Sequence, residues 1–338
     1  MSVQVATYGP DRTGLICGFA FAPGGAGREV DAGEALECVR TPPTGSPRRF
    51  VWLHFDLGSA STERWMTDHL GLPEAFFGAL HEETRSTRIE HVEGRLVAVV
   101  NDVLFEFAFG ASHVSTLWLC VGPDMVVSAR RKPLRSIDRL RASVRRGDTF
   151  AAPVDILVHL LHDEVDVLTE ILRDATVRVD RIEDALLAGR LETHRVDLGA
   201  ARRVLVRLRR LLAPEPAALF RLLSVPPAWM AEAHVQQLRA AAEEFSIGLH
   251  DMSSLLERIK LLQEEIAAQI NEQNNRSLFL LTVFTVLALP INIIAGLFGM
   301  NVGGIPLNQD ERGFWTIVVI VLLFTLPAVY IVLRRRRE

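Results

Sequence analysis

The residues best suited to chemistry lie in two places, a histidine-bearing acidic stretch near the middle of the chain and a tripeptide near its C-terminus. The first stretch carries imidazole and carboxylate groups, which are ligand types that Zn²⁺ takes in proteins: His159, His162, Asp163 and Asp166. Residues three apart share one face of a helix, so the two histidines can face one ion. The same residues also give a helix an ordinary polar surface. A regulatory metal site and a solvated face therefore both stay open.

The tripeptide, Gly299-Met300-Asn301, follows the first of two long apolar runs. The runs extend from Leu278 to Phe298 and from Phe314 to Leu333, and neither contains Lys, Arg, Asp, Glu or His. Each has about 20 residues, which as a helix span roughly 30 Å, the thickness of the hydrocarbon core of a bilayer. Two buried core helices are the alternative. Two uncharged runs of this length favour a transmembrane hairpin instead.

The charges that flank the runs predict the orientation of the hairpin. Four arginines, 334–337, follow the second run and Arg276 precedes the first, whereas the link 301–313 carries Asp310 and Glu311 against a single arginine. By the positive-inside rule, both termini lie in the cytoplasm and the link lies outside, in a multi-pass protein of the cytoplasmic (inner) membrane. The two acidic residues would attract cations to the outer mouth, although a solvated loop has the same composition.

The residues around the tripeptide resemble a known signature. Gly299-Met300-Asn301 at the end of the first of two C-terminal membrane helices is similar to the signature of the CorA-type (2-TM-GxN) divalent metal ion transporters. Four further segments of this chain have residues similar to those that the family has at the same places: Asn275, Leu281-Thr282, Pro290 and Ala295-Gly296-Leu297-Phe298. The continuation Val302-Gly303-Gly304-Ile305-Pro306 is more similar to the ZntB-like zinc-transporting branch. The resemblance covers the membrane part specifically and the rest of the chain by general plan.

The resemblance implies roles for individual residues. It makes Gly299, Met300 and Asn301 an ion filter and places the first membrane helix along a central pore. The positions that it assigns to the pore lining fall within roughly a 120° arc of an ideal helix: Asn275, Leu278, Leu281, Thr285, Leu289 and Asn292. It also implies a homopentamer in which the helix before the membrane lines a cytoplasmic funnel.

The predicted pore face has amide oxygens at its ends and mostly apolar side chains between them. It contains no carboxylate, imidazole or thiolate, whereas a bare Zn²⁺ takes nitrogen or sulfur ligands and a bare Mg²⁺ takes an octahedron of oxygens. Removing the water of a divalent ion with nothing to replace it would cost too much. We therefore expect the ion to pass hydrated, in contact with the asparagine amides, and the leucines to close the path by dewetting.

The soluble part of the chain comes before the predicted ion path. The pattern of residues 1–150 predicts an α+β cytoplasmic domain with a mainly antiparallel sheet flanked by helices. Residues 1 to about 47 are rich in Gly and Pro, and two clusters of these residues, 22–27 and 41–47, indicate turns. Helices are predicted at 61–69, with Ser61 as the cap, and at 73–80. Strands are predicted at 49–56, 88–93, 95–100, 103–109, 115–121 and 124–129.

From Pro153 onward the pattern is helical. Residues 151–225 predict an acidic helix, 154–187, and a basic helix, 193–212, which we expect to pair as an antiparallel hairpin with complementary charges. The acidic helix either gathers cations or forms ordinary ion pairs.

A stalk, 226–276, is predicted to continue into the first membrane helix, 277–300, as one helix of about 70 residues. Its apolar seam from Leu238 to Ile259 steps by alternating four and three, and copies in neighbouring subunits are natural partners for it. The external loop 301–313, the second membrane helix 314–333 and the basic tail 334–338 complete the chain.

Composition excludes several other classes of protein. The 338 residues carry a formal net charge of −4, and their arginine clusters are not interleaved with aromatic residues, so we expect no nucleic-acid partner. The three cysteines, Cys17, Cys38 and Cys120, indicate reduced thiols. No nucleophile with a base and an orienting acid is visible, so we expect neither an enzyme nor a cofactor besides the transported ion. The N-terminus does not resemble a cleavable signal peptide.

These patterns together predict a homo-oligomeric transporter of hydrated divalent cations, with zinc favoured over magnesium and with metal ions and the lipid bilayer as partners. The ZntB-like branch is associated with proton-coupled zinc uptake, but the membrane runs hold no acidic or histidine residue for a proton relay. A CorA-type Mg²⁺/Co²⁺ channel is one alternative. A membrane-anchored scaffold or sensor without transport is another.

Overall fold

The fold is described from a computed structural model for residues 10–22, 24–40, 49–82, 87–104, 114–188, 194–300 and 312–335. The chain divides into two units, Met1–Leu262 and Gln263–Glu338, here called the N-terminal unit and the C-terminal unit. The predicted segments 1–150 and 151–225 both fall in the N-terminal unit. The predicted stalk, 226–276, crosses the boundary.

Within the described residues, a seven-stranded mixed sheet forms the centre of the N-terminal unit. Its strands are β1 (Leu15–Phe21), β2 (Arg28–Glu29), β3 (Phe50–Asp56), β4 (Arg88–Val92), β5 (Arg95–Val103), β6 (Val114–Val121) and β7 (Met125–Arg130). Their spatial order is β2-β1-β3-β7-β6-β5-β4, and every neighbouring pair is antiparallel except β3 with β7. The prediction of a mainly antiparallel sheet is confirmed.

Helices cover both faces of this sheet. One face packs against α1 (Ala32–Arg40), α2 (Ala60–His69) and α3 (Glu74–His81). The other packs against α4 (Arg135–Arg146), α5 (Pro153–Leu187), α7 (Pro214–Ser224) and the start of α8 (Glu232–Phe298), while α6 (His194–Leu212) packs on α5 and α7. The last helix, α9, is Gly313–Arg335. Because both faces are covered, the inner strands are apolar along nearly their whole length.

The first 40 residues contain three elements that were not predicted. Strands β1 and β2 lie on either side of the predicted turn 22–27, and helix α1 follows them. Gly18 lies inside β1, and a Cβ there would come within 2.7 Å of the Val30 carbonyl oxygen. Its role is therefore close backbone approach within the sheet rather than a turn.

Two predicted boundaries are corrected by local hydrogen bonds. Helix α2 begins at Ala60, and its cap is Ser59, whose hydroxyl accepts from the Ser61 N–H at 3.4 Å, so Ser61 is not the cap. Strand β5 runs without interruption to Val103, where a separate strand had been predicted to start. The remainder of that predicted strand, 105–109, lies outside the described residues.

Helix α8 is one continuous helix of 67 residues, as predicted. Its seam is buried by the chain itself, since Leu238, Ala242 and Phe245 are at most 1% exposed. Leu238 and Ala242 share a core with residues of α5 and α7, and Leu168 of α5 lies close over the Gly248 backbone. This part of the seam therefore packs within its own chain, on α5 and α7, whereas the sequence suggested copies in neighbouring subunits as its partners.

The acidic side chains of α5 find partners that the predicted hairpin did not include. Glu170 pairs with two arginines of α4, Arg135 and Arg139, at 2.9 and 2.7 Å. Further along, Asp180 and Glu183 pair with Arg258 of α8. Ordinary ion pairs to α4 and α8 thus account for these carboxylates, in place of the complementary face expected on α6.

Candidate functional site

The apolar end of α8 carries every position that the sequence assigns to a pore lining. Within the described residues, α8 is the one helix that is long and apolar enough to cross a membrane by length and composition, and none of its most apolar 18-residue window is buried. The apolar part of α9 that is described, Gly313–Pro327, is shorter. Side chains this apolar and this exposed need lipid or another protein surface to cover them.

The assigned positions form an uncovered face of α8. Leu278, Leu281 and Leu289 are 61, 64 and 56% exposed, and Asn275 and Asn292 are exposed as well. The sixth position, an exposed threonine, donates its hydroxyl hydrogen to the Leu281 carbonyl oxygen at 2.9 Å. The face therefore combines bare leucines with two amides, and none of its side chains is charged.

The predicted filter is described only in part. Helix α8 ends at Phe298, and the Gly299 N–H donates to the Ala295 carbonyl oxygen at 2.9 Å. A Cβ on Gly299 would lie 3.0 Å from that same oxygen, so a larger residue would crowd this end of the helix. Met300 is 52% exposed. Asn301 and the acidic pair Asp310 and Glu311 lie outside the described residues.

The predicted regulatory metal ligands do not assemble into a site. The His159 Nε2 atom lies 3.6 Å from Asp163 Oδ2 and 3.2 Å from a serine hydroxyl of α4, whereas His162 Nδ1 lies 3.7 Å from Glu244 of α8. Asp166 is exposed. Among the described residues, no group of three or more His, Cys, Asp or Glu side chains is placed to hold a metal. His159 and His162 therefore belong to two separate pairs, with Asp163 and Glu244.

Burial changes the protonation of the half-buried pair on α5. It is the main reason that the pKa of His159 is lowered and that the pKa of Asp163 is raised to about 6. Both shifts favour the neutral forms. At neutral pH the imidazole is therefore uncharged, whereas a carboxyl with a pKa of about 6 is still mostly ionised.

A polar network inside the sheet was not predicted from the sequence. Ser128 Oγ accepts from Trp52 Nε1 at 2.9 Å and lies 2.8 Å from His54 Nδ1, while Arg130 Nε donates to His54 Nε2 at 2.9 Å. Since Nε2 accepts, Nδ1 carries the proton and donates to Ser128, which donates in turn to the Leu53 carbonyl oxygen. Burial and the Arg130 charge lower the pKa of His54 well below its ordinary value, so the ring is neutral.

A second unpredicted feature is a set of buried carboxyls behind the sheet. Asp102 of β5, Glu164 of α5 and Glu215 of α7 are 2, 5 and 0% exposed. Asp102 accepts from the Val103 and Ser136 N–H groups and from the Ser136 hydroxyl. The sequence reading placed α5 acids on its surface, but Glu164 follows the apolar spacing of the helix, and that spacing is the signal that reveals its burial.

Comparison with known proteins gives the relatives of the whole chain. A family profile described as CorA-like Mg²⁺ transporter protein matches residues 47–336. The chain is 28% identical over 317 residues to the divalent cation transporter CmaX of Pseudomonas aeruginosa, covering 92% of this chain and 93% of that protein. It is 25% identical over 298 residues to the zinc transport protein ZntB of Yersinia enterocolitica, covering 88% and 91%.

The structure of the full-length CmaX protein superposes with a TM-score of 0.80 at 26% identity, over 97% of this chain and 99% of that one. This match confirms the predicted fold class, a sheet domain with flanking helices followed by a long helix. The matching family consists of ion transporters, which confirms that the chain is not an enzyme. Because the profile spans most of the sequence, the chain belongs to the CorA-like Mg²⁺ transporter family.

Proposed function

We propose that this protein is an oligomeric membrane transporter that moves hydrated divalent cations, with Zn²⁺ as its preferred ion, along a path lined by the apolar part of α8. The observation that carries the proposal is the uncovered face of α8. It combines exposed leucines with the amides of Asn275 and Asn292 on a helix that ends directly before Gly299-Met300. Membership of the family supports transport of a divalent cation.

The chemistry of this face sets how the ion travels. Amide oxygens are weak ligands that accept hydrogen bonds from coordinated water, and the leucines offer no ligand at all. A divalent ion stripped of its water here would lose its ligands without replacement, at a prohibitive cost. The ion therefore keeps its inner water shell, and the amides of Asn275, Asn292 and Asn301 contact that shell. Narrowing at the leucines dewets the path and closes it.

The remaining parts of the proposal concern assembly and orientation. Five copies surround the path, as the family resemblance implies, and the helices cross the inner membrane with both termini in the cytoplasm. The arginines 334–337 support this orientation by the positive-inside rule. Asp310 and Glu311 in the external loop raise the local concentration of cations at the mouth of the path.

Two observations bear on the choice of metal. The sequence after the tripeptide, Val302 to Pro306, and the relative named as a zinc transporter both favour Zn²⁺. The name of the family profile favours the second candidate, a Mg²⁺ channel. Proton coupling to zinc would need a titratable group outside the path, because the assigned positions contain none.

The test of metal choice is uptake into liposomes that contain the purified full-length chain. We expect Zn²⁺ uptake to exceed Mg²⁺ uptake at equal concentration. An imposed pH step across the membrane shows whether protons drive the flux. Mg²⁺ uptake above Zn²⁺ uptake would replace this assignment by the magnesium channel.

The test of the path is the substitution Asn301→Ala. Removal of the filter amide is expected to lower cation uptake roughly tenfold or more, which corresponds to about 1.4 kcal/mol in the barrier, while oligomer size in detergent stays unchanged. The matched control is Asn308→Ala, an asparagine of the same loop outside the tripeptide. Equal uptake by the wild type and the Asn301→Ala variant at the level of protein-free liposomes would instead favour a membrane-anchored scaffold without transport. Equal uptake above that level would show that Asn301 is not part of the filter.

A further inference from the structure

The buried carboxyls Glu164 and Glu215 have no role in the proposed ion path. Both are almost fully buried, and none of their four carboxyl oxygens makes a hydrogen bond of normal geometry with a described residue. They lie on different helices, α5 and α7, and each influences the protonation of the other. A buried carboxylate without partners is strongly disfavoured, so both groups favour the protonated, neutral form.

The charged groups around the pair strengthen that preference. Those that act most strongly on Glu164 among the described residues are all acidic: Glu215, Asp102 and Asp163. The basic groups on the neighbouring elements are engaged or exposed. On β4, Arg88 pairs with Glu82 and the side chains of Glu90 and His91 are exposed; on α8, His234 pairs with Asp155 and Glu244 with His162; on α6, Arg203, Arg207, Arg209 and Arg210 are exposed.

The two carboxyls differ in how readily they ionise. Burial raises the pKa of Glu215 to about 8, and burial together with the charge of Glu215 raises the pKa of Glu164 well above its ordinary value. Glu215 stands in the first turn of α7, where the free N–H groups of the helix favour a negative charge. Glu215 therefore loses its proton first.

Helix α7 depends on the same core that the pair faces. Its residues Ala218, Leu219 and Leu222 share a hydrophobic cluster with α5, and the same cluster contains Val235 and Leu238 from the start of α8. The helix has only 11 residues, and six of them, including Glu215, are buried. When Glu215 in the first turn of α7 ionises, its charge must come into contact with water. This disturbs the packing of α7 on α5 and α8.

We propose that Glu164 and Glu215 form a proton-binding site that holds α7 against α5 while it is occupied and releases α7 when it empties. Between the ordinary pKa of a glutamate, 4.5, and the raised values, the closed state binds more protons than the open state does. The closed state is thus fully stabilised below the ordinary pKa and loses stability as pH rises through the raised values. The site senses pH whichever ion the protein moves.

The experiment is hydrogen exchange of the full-length protein in detergent, read by mass spectrometry at about pH 6 and about pH 8.5 and corrected for the intrinsic pH dependence of exchange. We expect residues 214–224 to lose protection at the higher pH in the wild type. The double variant Glu164→Gln/Glu215→Gln keeps the volume of the side chains and removes the charge, so its α7 should stay equally protected at both pH values. The matched control is Asp174→Asn, an exposed acid of α5, which should behave as the wild type does.

The single variant Glu215→Gln provides an independent readout. It removes the carboxyl that ionises first, in the first turn of α7, so the loss of protection should move to higher pH than in the wild type. Equal protection of α7 in the wild type at both pH values would overturn the proposal, and so would a loss in the double variant as large as in the wild type. Restoration of protection at the higher pH by Zn²⁺ or Mg²⁺ would also overturn it, because the pair would then bind metal cations.

Discussion

At the scale of single residues, Ser128 shows how one small side chain completes a buried network. It accepts hydrogen bonds from two buried rings and returns one to a backbone carbonyl, so that the polar groups of Trp52 and His54 are satisfied inside the sheet. Buried donors without acceptors are costly, so this hydroxyl stabilises the burial of both rings.

The substitution Ser128→Ala tests this role. It leaves the Trp52 and His54 N–H groups without their acceptor and is expected to lower the free energy of unfolding by about 2–4 kcal/mol. Chemical denaturation in detergent, followed by tryptophan fluorescence, measures the change. The control Thr67→Ala removes an exposed hydroxyl that bonds only to its own helix, and should change stability by less than about 0.5 kcal/mol. An equally small effect of Ser128→Ala would mean that water replaces the hydroxyl.

At the scale of elements, the long helices were predicted well because their periodic apolar residues extend over many turns. Helices α5 and α8 follow this pattern. Helix α7 was not predicted, although it begins with Pro214, and proline is favoured at the start of a helix. Helix α4 was not predicted either, although Ile137, Leu140 and Val144 have helical spacing and are buried.

An ion pair connects two of these elements far from the sheet. Arg258 of α8 donates to Asp180 at 2.7 Å and to Glu183 of α5, and the pairing raises the pKa of Arg258. The side chains of Arg258, Asp180 and Glu183 are 41, 48 and 37% exposed. Solvent therefore screens the attraction, and its contribution is modest.

The substitution Arg258→Met is expected to lower the free energy of unfolding by about 1 kcal/mol at low salt, and by less at about 1 M salt, where charges are screened. Denaturation curves at the two salt concentrations measure the difference. Lys260→Met is the matched control, since Lys260 pairs with Glu257 on its own helix. A salt-independent loss would assign the effect of Arg258 to packing of its stem.

At the scale of the whole molecule, the chain consists of two units that differ in whether their apolar residues are buried. The N-terminal unit buries most of its large apolar side chains in its own interior, whereas the apolar part of α8 in the C-terminal unit is exposed. Residues 232–262 of α8 belong to the N-terminal unit and complete one of its cores. The unit boundary therefore falls within the helix rather than at its start.

A pair of truncations tests this division. A chain that ends at Leu262 is expected to stay monodisperse without detergent and to unfold in one cooperative transition, because its cores are complete. A chain that ends at Ala231 lacks Val235, Leu238 and Ala242 and exposes the apolar faces of α5 and α7, so it should aggregate. Size-exclusion chromatography and circular dichroism distinguish the two. Equal behaviour of both chains would place the boundary at the start of α8.

The sequence by itself determined the two apolar runs, the flanking arginines, the Gly-Met-Asn turn and the long helix, because length, charge and periodicity are local properties of a chain. Only the tertiary structure decided that the α8 seam packs on α5, that His159 and His162 face different partners, and that Glu164 and Glu215 meet in the core. These outcomes depend on which distant segments share a surface. Burial by distant segments also changes the ionisation of a carboxyl group without any change in its sequence neighbours.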